Sequence, residues 1–358
     1  MMKKLCKAAL CFLPFVCLLV FVNWYADPAN VLRGDYEQKV AAILASGENA
    51  TNLRNMDDRT FMKIYAELRT QPLDTLVLGS SHAMQITKEL TGDENTFCAG
   101  VTGADLRDCI SIYELFKSKN FNPKRVILTV DSWFLSEGTL EKRAMTDGYT
   151  AFCKREGLSP LKSGKLELWL QAAEKKGQAF SIPYFQTSLD YIKRGLIADR
   201  DAVPTQDFYT VTDMRRADGS YCYNEKLRTI LPEETAARAA NVIVAKPEFA
   251  RNFSGVSEPL LQQLEAFVRS LQADGVQVAL MLAPFHPDYY DYMCTQTDNY
   301  VPLLGTQTVV SALAKKLDVP LFGSFNPYDC GLTGIDFYDG IHCTDKAMTQ
   351  FYPKNLFS

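Results

Sequence analysis

Asp74-Thr75-Leu76-Val77-Leu78-Gly79-Ser80-Ser81-His82 is the stretch whose reading decides the fold. A short apolar run bounded by a glycine and two serines is how a strand buried on both faces of a parallel sheet meets a turn and a following helix. Similar runs recur at 125–130, 276–282 and 319–322, with a second strand expected ahead of Cys98, and helical stretches separate them. One of these helices can be bounded by residue. Ser257 caps its start, Pro259 suits its first turn, Leu260, Leu261, Leu264, Phe267, Val268 and Leu271 form one apolar stripe, and Asp274-Gly275 stops it. A second spans Thr306 to Leu317. Strands alternating with helices predict an α/β fold, a parallel sheet covered on both faces, with ligands bound beyond the carboxyl ends of the strands.

Residues 135–256 break that rhythm and read as one long insertion between consecutive strands. It contains a surface helix over Lys165–Lys176, a second near Thr187–Leu196, and a hairpin in which Asp218-Gly219 separates β-prone residues from Tyr221-Cys222-Tyr223. Working toward the N-terminus, residues 29–72 are polar and helical and read as a juxtamembrane collar. Before them, Ala8 to Val22 is apolar for 15 residues, preceded by Lys3, Lys4 and Lys7 and followed by Trp24-Tyr25. These flanks predict an uncleaved single-pass transmembrane helix within residues 1–28, N-terminus inside, and put the domain from residue 73 to 358 outside the cytoplasm.

The chain has 358 residues, 47% hydrophobic and 22% charged, which gives material for a large core and excludes a disordered or collagenous chain. With 38 basic against 42 acidic residues its net charge of −4 argues against a nucleic-acid partner. Cys98, Cys109, Cys153, Cys222, Cys294, Cys330 and Cys343 follow the apolar segment with no metal-binding spacing, so neither a metal nor another cofactor is expected.

Two short patterns carry chemistry. At the turn after the first strand, Ser80 or Ser81 either caps the next helix or stands exposed as a nucleophile beside helix N–H groups. Near the C-terminus, Asp339 lies three residues before His342, close enough to fix the imidazole tautomer so that Nε2 can take a proton from a serine. His286 follows a strand end and is a substrate contact or an ordinary loop histidine. Arg215-Arg216 beside the hairpin is a site for an anionic polymer or a solvated pair, and Trp133 lines the pocket or packs.

The order of these blocks, Ser81 first, Cys98 to Ala104 with Gly103 second, and Asp339 with His342 last, resembles the SGNH (GDSL-like) hydrolase superfamily. The resemblance implies a three-layer α/β/α sandwich, Ser81 as nucleophile, His342 as base oriented by Asp339, and an oxyanion hole from the N–H groups of Ser81 and Gly103. In one respect the sequence departs from that pattern. Where the family's third block supplies an Asn donor, the chain reads Val130-Asp131-Ser132-Trp133, in which ionised Asp131 cannot donate and Ser132 is the substitute candidate. With the N-terminal segment, the blocks resemble the membrane-anchored proteins that modify cell-envelope polymers. The DltD-type proteins of teichoic-acid D-alanylation match the block order, whereas the polysaccharide O-acetylation proteins of alginate share only the theme. What this implies is a serine acyltransferase or esterase acting on acetyl or D-alanyl esters of an envelope glycan or teichoic-type polymer, with a multipass acyltransferase as candidate partner. The alternative is a non-catalytic scaffold or polymer-binding member.

Overall fold

The computed structural model describes residues 2–161, 173, 176–197, 201–296, 298 and 300–357, with side chains from residue 12 onward. Its strands are β1 (Asn49–Thr51), β2 (Thr75–Leu78), β3 (Thr96–Cys98), β4 (Arg125–Thr129), β5 (Val203–Thr205), β6 (Met214–Arg215), β7 (Tyr221–Cys222), β8 (Gln277–Leu282) and β9 (Leu321–Gly323). A five-stranded sheet runs β3-β2-β4-β8-β9, and each of its pairings is parallel. The α/β expectation is therefore met. Because strand side chains alternate in direction, Leu76, Leu78, Val126, Leu128, Val278 and Leu280 enter one core while Val77, Ile127, Ala279 and Met281 enter another on the opposite face.

The helices used below are α1 (Met2–Ala26), α2 (Tyr36–Ala45), α3 (Asp58–Leu68), α4 (Leu106–Ser118), α5 (Ile182–Lys193), α6 (Glu258–Ala273), α7 (Thr306–Leu317) and α8 (Asp345–Phe351). The larger core takes Phe61 and Tyr65 from α3, Ile110 and Phe116 from α4, Leu264 and Phe267 from α6, and Leu313 from α7. The smaller core is closed by Met348 and Phe351 of α8 with Leu356 and Phe357 after it. Helix α6 starts and stops as its sequence predicts: Ser257 accepts a hydrogen bond from the Leu260 amide, and Asp274 ends it before Gly275. The predicted last strand begins later than expected, at Leu321 rather than Val319.

A second sheet, β5-β1-β6-β7, is antiparallel and joins the stretch expected as a collar to the expected insertion. The collar segment is also part of the main core, through Val40 and Leu44 of α2 and Phe61 and Tyr65 of α3. The Asp218-Gly219 hairpin forms between β6 and β7. The surface helix expected over Lys165–Lys176 lies largely outside the described residues, and the helix expected near Thr187 begins earlier, at Ile182.

Helix α1 forms over 25 residues. Its C-terminal end is seated on the protein: Leu19, Val22 and Ala26 are buried, and the Asn23 amide donates to the carbonyls of Gln178, Ala179 and Ser181. Phe12, Phe15, Leu18, Phe21 and Trp24 stay exposed. Among the described residues no helix is long and apolar enough to cross a membrane, and the side chains of residues 1–11, on which the expected span partly rests, lie outside them.

Candidate active site

At the carboxyl end of β2, Gly79 is required by space: a Cβ there would come within 2.7 Å of the Thr129 Cβ at the end of β4. The tight approach turns the chain sharply out of the sheet. Ser80 then accepts a hydrogen bond from the His82 amide and caps the next turn, which leaves Ser81 at its first position. Cap and candidate nucleophile are thus two neighbouring serines. The turn itself differs from expectation, since Ser81–Gln85 is a short 3-10 segment rather than the start of a long helix.

His342 comes from the opposite end of the chain. The Asp339 carboxylate accepts from the amides of Ile341 and His342, at 2.8 and 2.9 Å, and from His342 Nδ1 at 2.9 Å. Backbone bonds from the His286 amide to Gly340 O and from the Tyr338 amide to His342 O hold the same turn. His342 Nε2 lies 2.9 Å from Ser81 Oγ. Burial raises the Asp339 pKa, but His342 and the two amides outweigh it and hold the carboxyl down at about 2. An ionised Asp339 makes Nδ1 the protonated nitrogen, so Nε2 accepts the Ser81 hydroxyl proton. Ser81, His342 and Asp339 therefore form the relay their order in the sequence suggested.

After β3 the chain makes a turn from Val101 to Ala104, closed by a 3.1 Å bond from the Ala104 amide to Val101 O. Gly103 sits in it at φ +62°, where a side chain would be strained. Among the described residues the amides of Ser81 and Gly103 donate to no protein acceptor. Both residues line a cleft of about 900 Å³ that also holds His342. Two N–H groups without a protein acceptor, on residues lining the same cleft as His342, are candidate donors to a developing oxyanion.

Other expected site residues are placed differently. Ser132 is fully buried, its hydroxyl has no partner among the described residues, and it does not line the cleft, so it is no oxyanion donor. Asp131 is turned away from the cleft as well, bonded to His82 Nδ1 at 2.5 Å. That histidine packs edge-on against Trp133 and His342. His286 is buried and does not line the cleft; its Nδ1 accepts from the Asp288 amide, and its own amide braces the Asp339–His342 turn through Gly340 O. Arg215 is not a surface polymer contact: it is fully buried, bonded to Asp58 at 2.8 Å and to the carbonyls of Gly100 and Gly219. Trp133 lines the cleft and donates its indole N–H to Ala104 O.

The cleft also has walls that the sequence reading did not single out: Tyr221 and Tyr223 from the hairpin, Phe249, Glu141 and Lys142 from the insertion, and Arg54 ahead of α3. Tyr223 stands 6.2 Å, centroid to centroid, from the His342 ring. The aromatic pair flanking the hairpin turn was visible in sequence, but nothing local pointed it at the serine. No protein-family model matches the chain, and no curated protein matches it.

Proposed function

We propose that the protein is a serine acyltransferase or esterase of SGNH type, held at the outer face of the cell membrane by α1 and acting on O-acyl groups of an envelope polymer. The observation that carries the reading is the Ser81–His342–Asp339 relay at 2.9 Å on each side of the imidazole, set in an open cleft. Ser81 Oγ attacks the acyl carbonyl while its proton passes to His342 Nε2. The oxyanion takes the N–H groups of Ser81 and Gly103. As the carbonyl re-forms, the bond to the leaving oxygen breaks and His342 returns the proton to that oxygen, leaving an acyl ester on Ser81. An incoming hydroxyl, from polymer or water, then gives its proton to His342 and takes the acyl group, and Ser81 Oγ recovers the proton.

Aromatic and polar walls suit a glycan or polyol chain, whose rings stack on Trp133, Tyr221 and Phe249 while hydroxyls meet polar groups. A two-donor hole lacks the third donor, whose loss typically costs ~10²–10³ in turnover. That favours slow transfer to a bound polymer hydroxyl over rapid general hydrolysis. A second reading, a scaffold that binds polymer for a multipass acyltransferase, draws on the diversion of Asp131 to His82. The two are separated by measuring polymer ester content in host cells lacking the protein and complemented with wild type, Ser81→Ala or His342→Ala. The proposal expects each substitution to abolish the wild-type change in ester content. Full complementation by Ser81→Ala would overturn it in favour of the scaffold.

A further inference from the structure

The Gly103 N–H belongs to the peptide unit that joins Thr102 to Gly103, and that unit is the central peptide of the Val101–Ala104 turn. The two common forms of such a turn differ by rotation of this one peptide, and a glycine in the third place permits both. The two rotations aim the Gly103 N–H in opposite directions, so only one of them can serve an oxyanion. Something has to select it.

One contact holds this unit and two more hold Thr102 just before it, and all come from α3. Arg59 Nη1 donates to Thr102 O at 3.2 Å, while Asp58 Oδ2 accepts from the Thr102 amide at 2.9 Å and from its hydroxyl at 2.7 Å. In a planar trans peptide the C=O and N–H point in opposite directions, so a guanidinium holding Thr102 O fixes where the Gly103 N–H aims. A cation on the carbonyl also polarises the amide and strengthens its N–H as a donor. Arg59 is itself immobilised by a paired bridge to the buried Asp108 carboxylate, Nε to Oδ1 at 3.0 Å and Nη2 to Oδ2 at 2.7 Å. Asp58 is held in turn by the buried Arg215, whose Nη2 also takes Gly100 O in the same loop.

We infer that Arg59, seated on Asp108, is a positioning residue of the oxyanion hole: it acts through the Thr102 carbonyl to hold and polarise the Gly103 N–H, with Asp58 fixing the preceding amide. The inference rests on the acyl-serine reading and deepens it. It gives the segment ahead of β2 a part in the chemistry, because α3 contributes no group to the relay yet sets one of its two donors. Arg59 is suited to this by its planar fork, which serves a carboxylate and a carbonyl at once. A lysine, as a point charge, satisfies one of the two.

The test uses the full chain in detergent with p-nitrophenyl acetate as soluble ester and an alkyl boronic acid as mimic of the tetrahedral intermediate. The variants are Arg59→Lys and the neutral pair R59Q/D108N, which leaves no buried Asp108 carboxylate unpartnered. The expected result is a fall of about 10–100-fold in kcat for R59Q/D108N with KM little changed. The boronate inhibition constant should rise by a similar factor, and Arg59→Lys should lie between the pair and wild type. Should the pair fail to fold, Arg59→Lys alone decides, since it keeps a charge beside Asp108. Folded variants with wild-type kcat and wild-type boronate affinity would overturn the inference, as would a change confined to KM. Wild-type chain inert to ester and boronate alike would overturn the acyl-serine reading itself, whereas active wild type with unimpaired variants overturns only the role of Arg59.

Discussion

At the scale of single residues, the chemistry depends on which nitrogen of His342 carries the proton. Asp339 decides this, because its ionised carboxylate faces Nδ1 and also takes two backbone N–H groups. Asp339→Asn keeps the shape but permits the opposite tautomer, and Ser81 acylation is expected to slow by roughly 10⁴-fold with the fold intact, read by stopped-assay labelling. The pH dependence follows in sign. A carboxyl lowered from 3.8 to about 2 contributes stability that is present above pH 3.8 and lost as pH falls through about 2. Asp339 therefore stays ionised at any pH well above 2 and faces Nδ1 as a carboxylate throughout the neutral range. The serine pair shows how far sequence reached here. A cap and a nucleophile were the two competing roles for Ser80 and Ser81, and in the structure Ser80 is the cap while Ser81 Oγ lies 2.9 Å from His342 Nε2. Arg215 shows where it stopped: a charged residue beside a turn reads as solvated, and only its four-residue reach back to Gly219 and across to Asp58 reveals it as buried.

Among elements, those whose boundaries are written in local chemistry were the legible ones. Helix α6 has a cap, an apolar stripe and a glycine stop in one continuous segment, and α7 matches residue for residue. The strands of the parallel sheet were legible as apolar runs because both their faces are buried. Phe267 of α6 meets Tyr113 and Phe152 edge-on in the larger core and is almost wholly buried. Phe267→Ala should cost about 3–5 kcal/mol in denaturant unfolding, through lost burial and the cavity left behind, without altering the Ser81–His342 geometry. The strands β1, β5, β6 and β7 are two or three residues long. Segments so short carry no measurable period, and apart from the β6–β7 hairpin, which Asp218-Gly219 announced, their pairing through β1 joins residues more than 150 apart, as in Asn49 with Thr205. No local pattern encodes such a match.

For the molecule as a whole, the linear division into anchor, collar, domain and insertion describes the order of the chain better than its assembly. The collar helix α3 and the insertion's β6 meet at Asp58 and Arg215 and together brace the loop that carries Gly103. The cleft is walled by the hairpin and other insertion residues, while the relay comes from the sheet edge and the C-terminal turn. Parts far apart in sequence thus supply Ser81, His342, Gly103 and the cleft walls separately. The central claim is that this assembly makes Ser81 a nucleophile. It is tested most directly by incubating the full chain with a fluorophosphonate and mapping the adduct by mass spectrometry. The account predicts one equivalent on Ser81, none on the Ser81→Ala chain and markedly slower labelling of His342→Ala. Equal labelling of wild type and Ser81→Ala, or an adduct on any other residue, would contradict it.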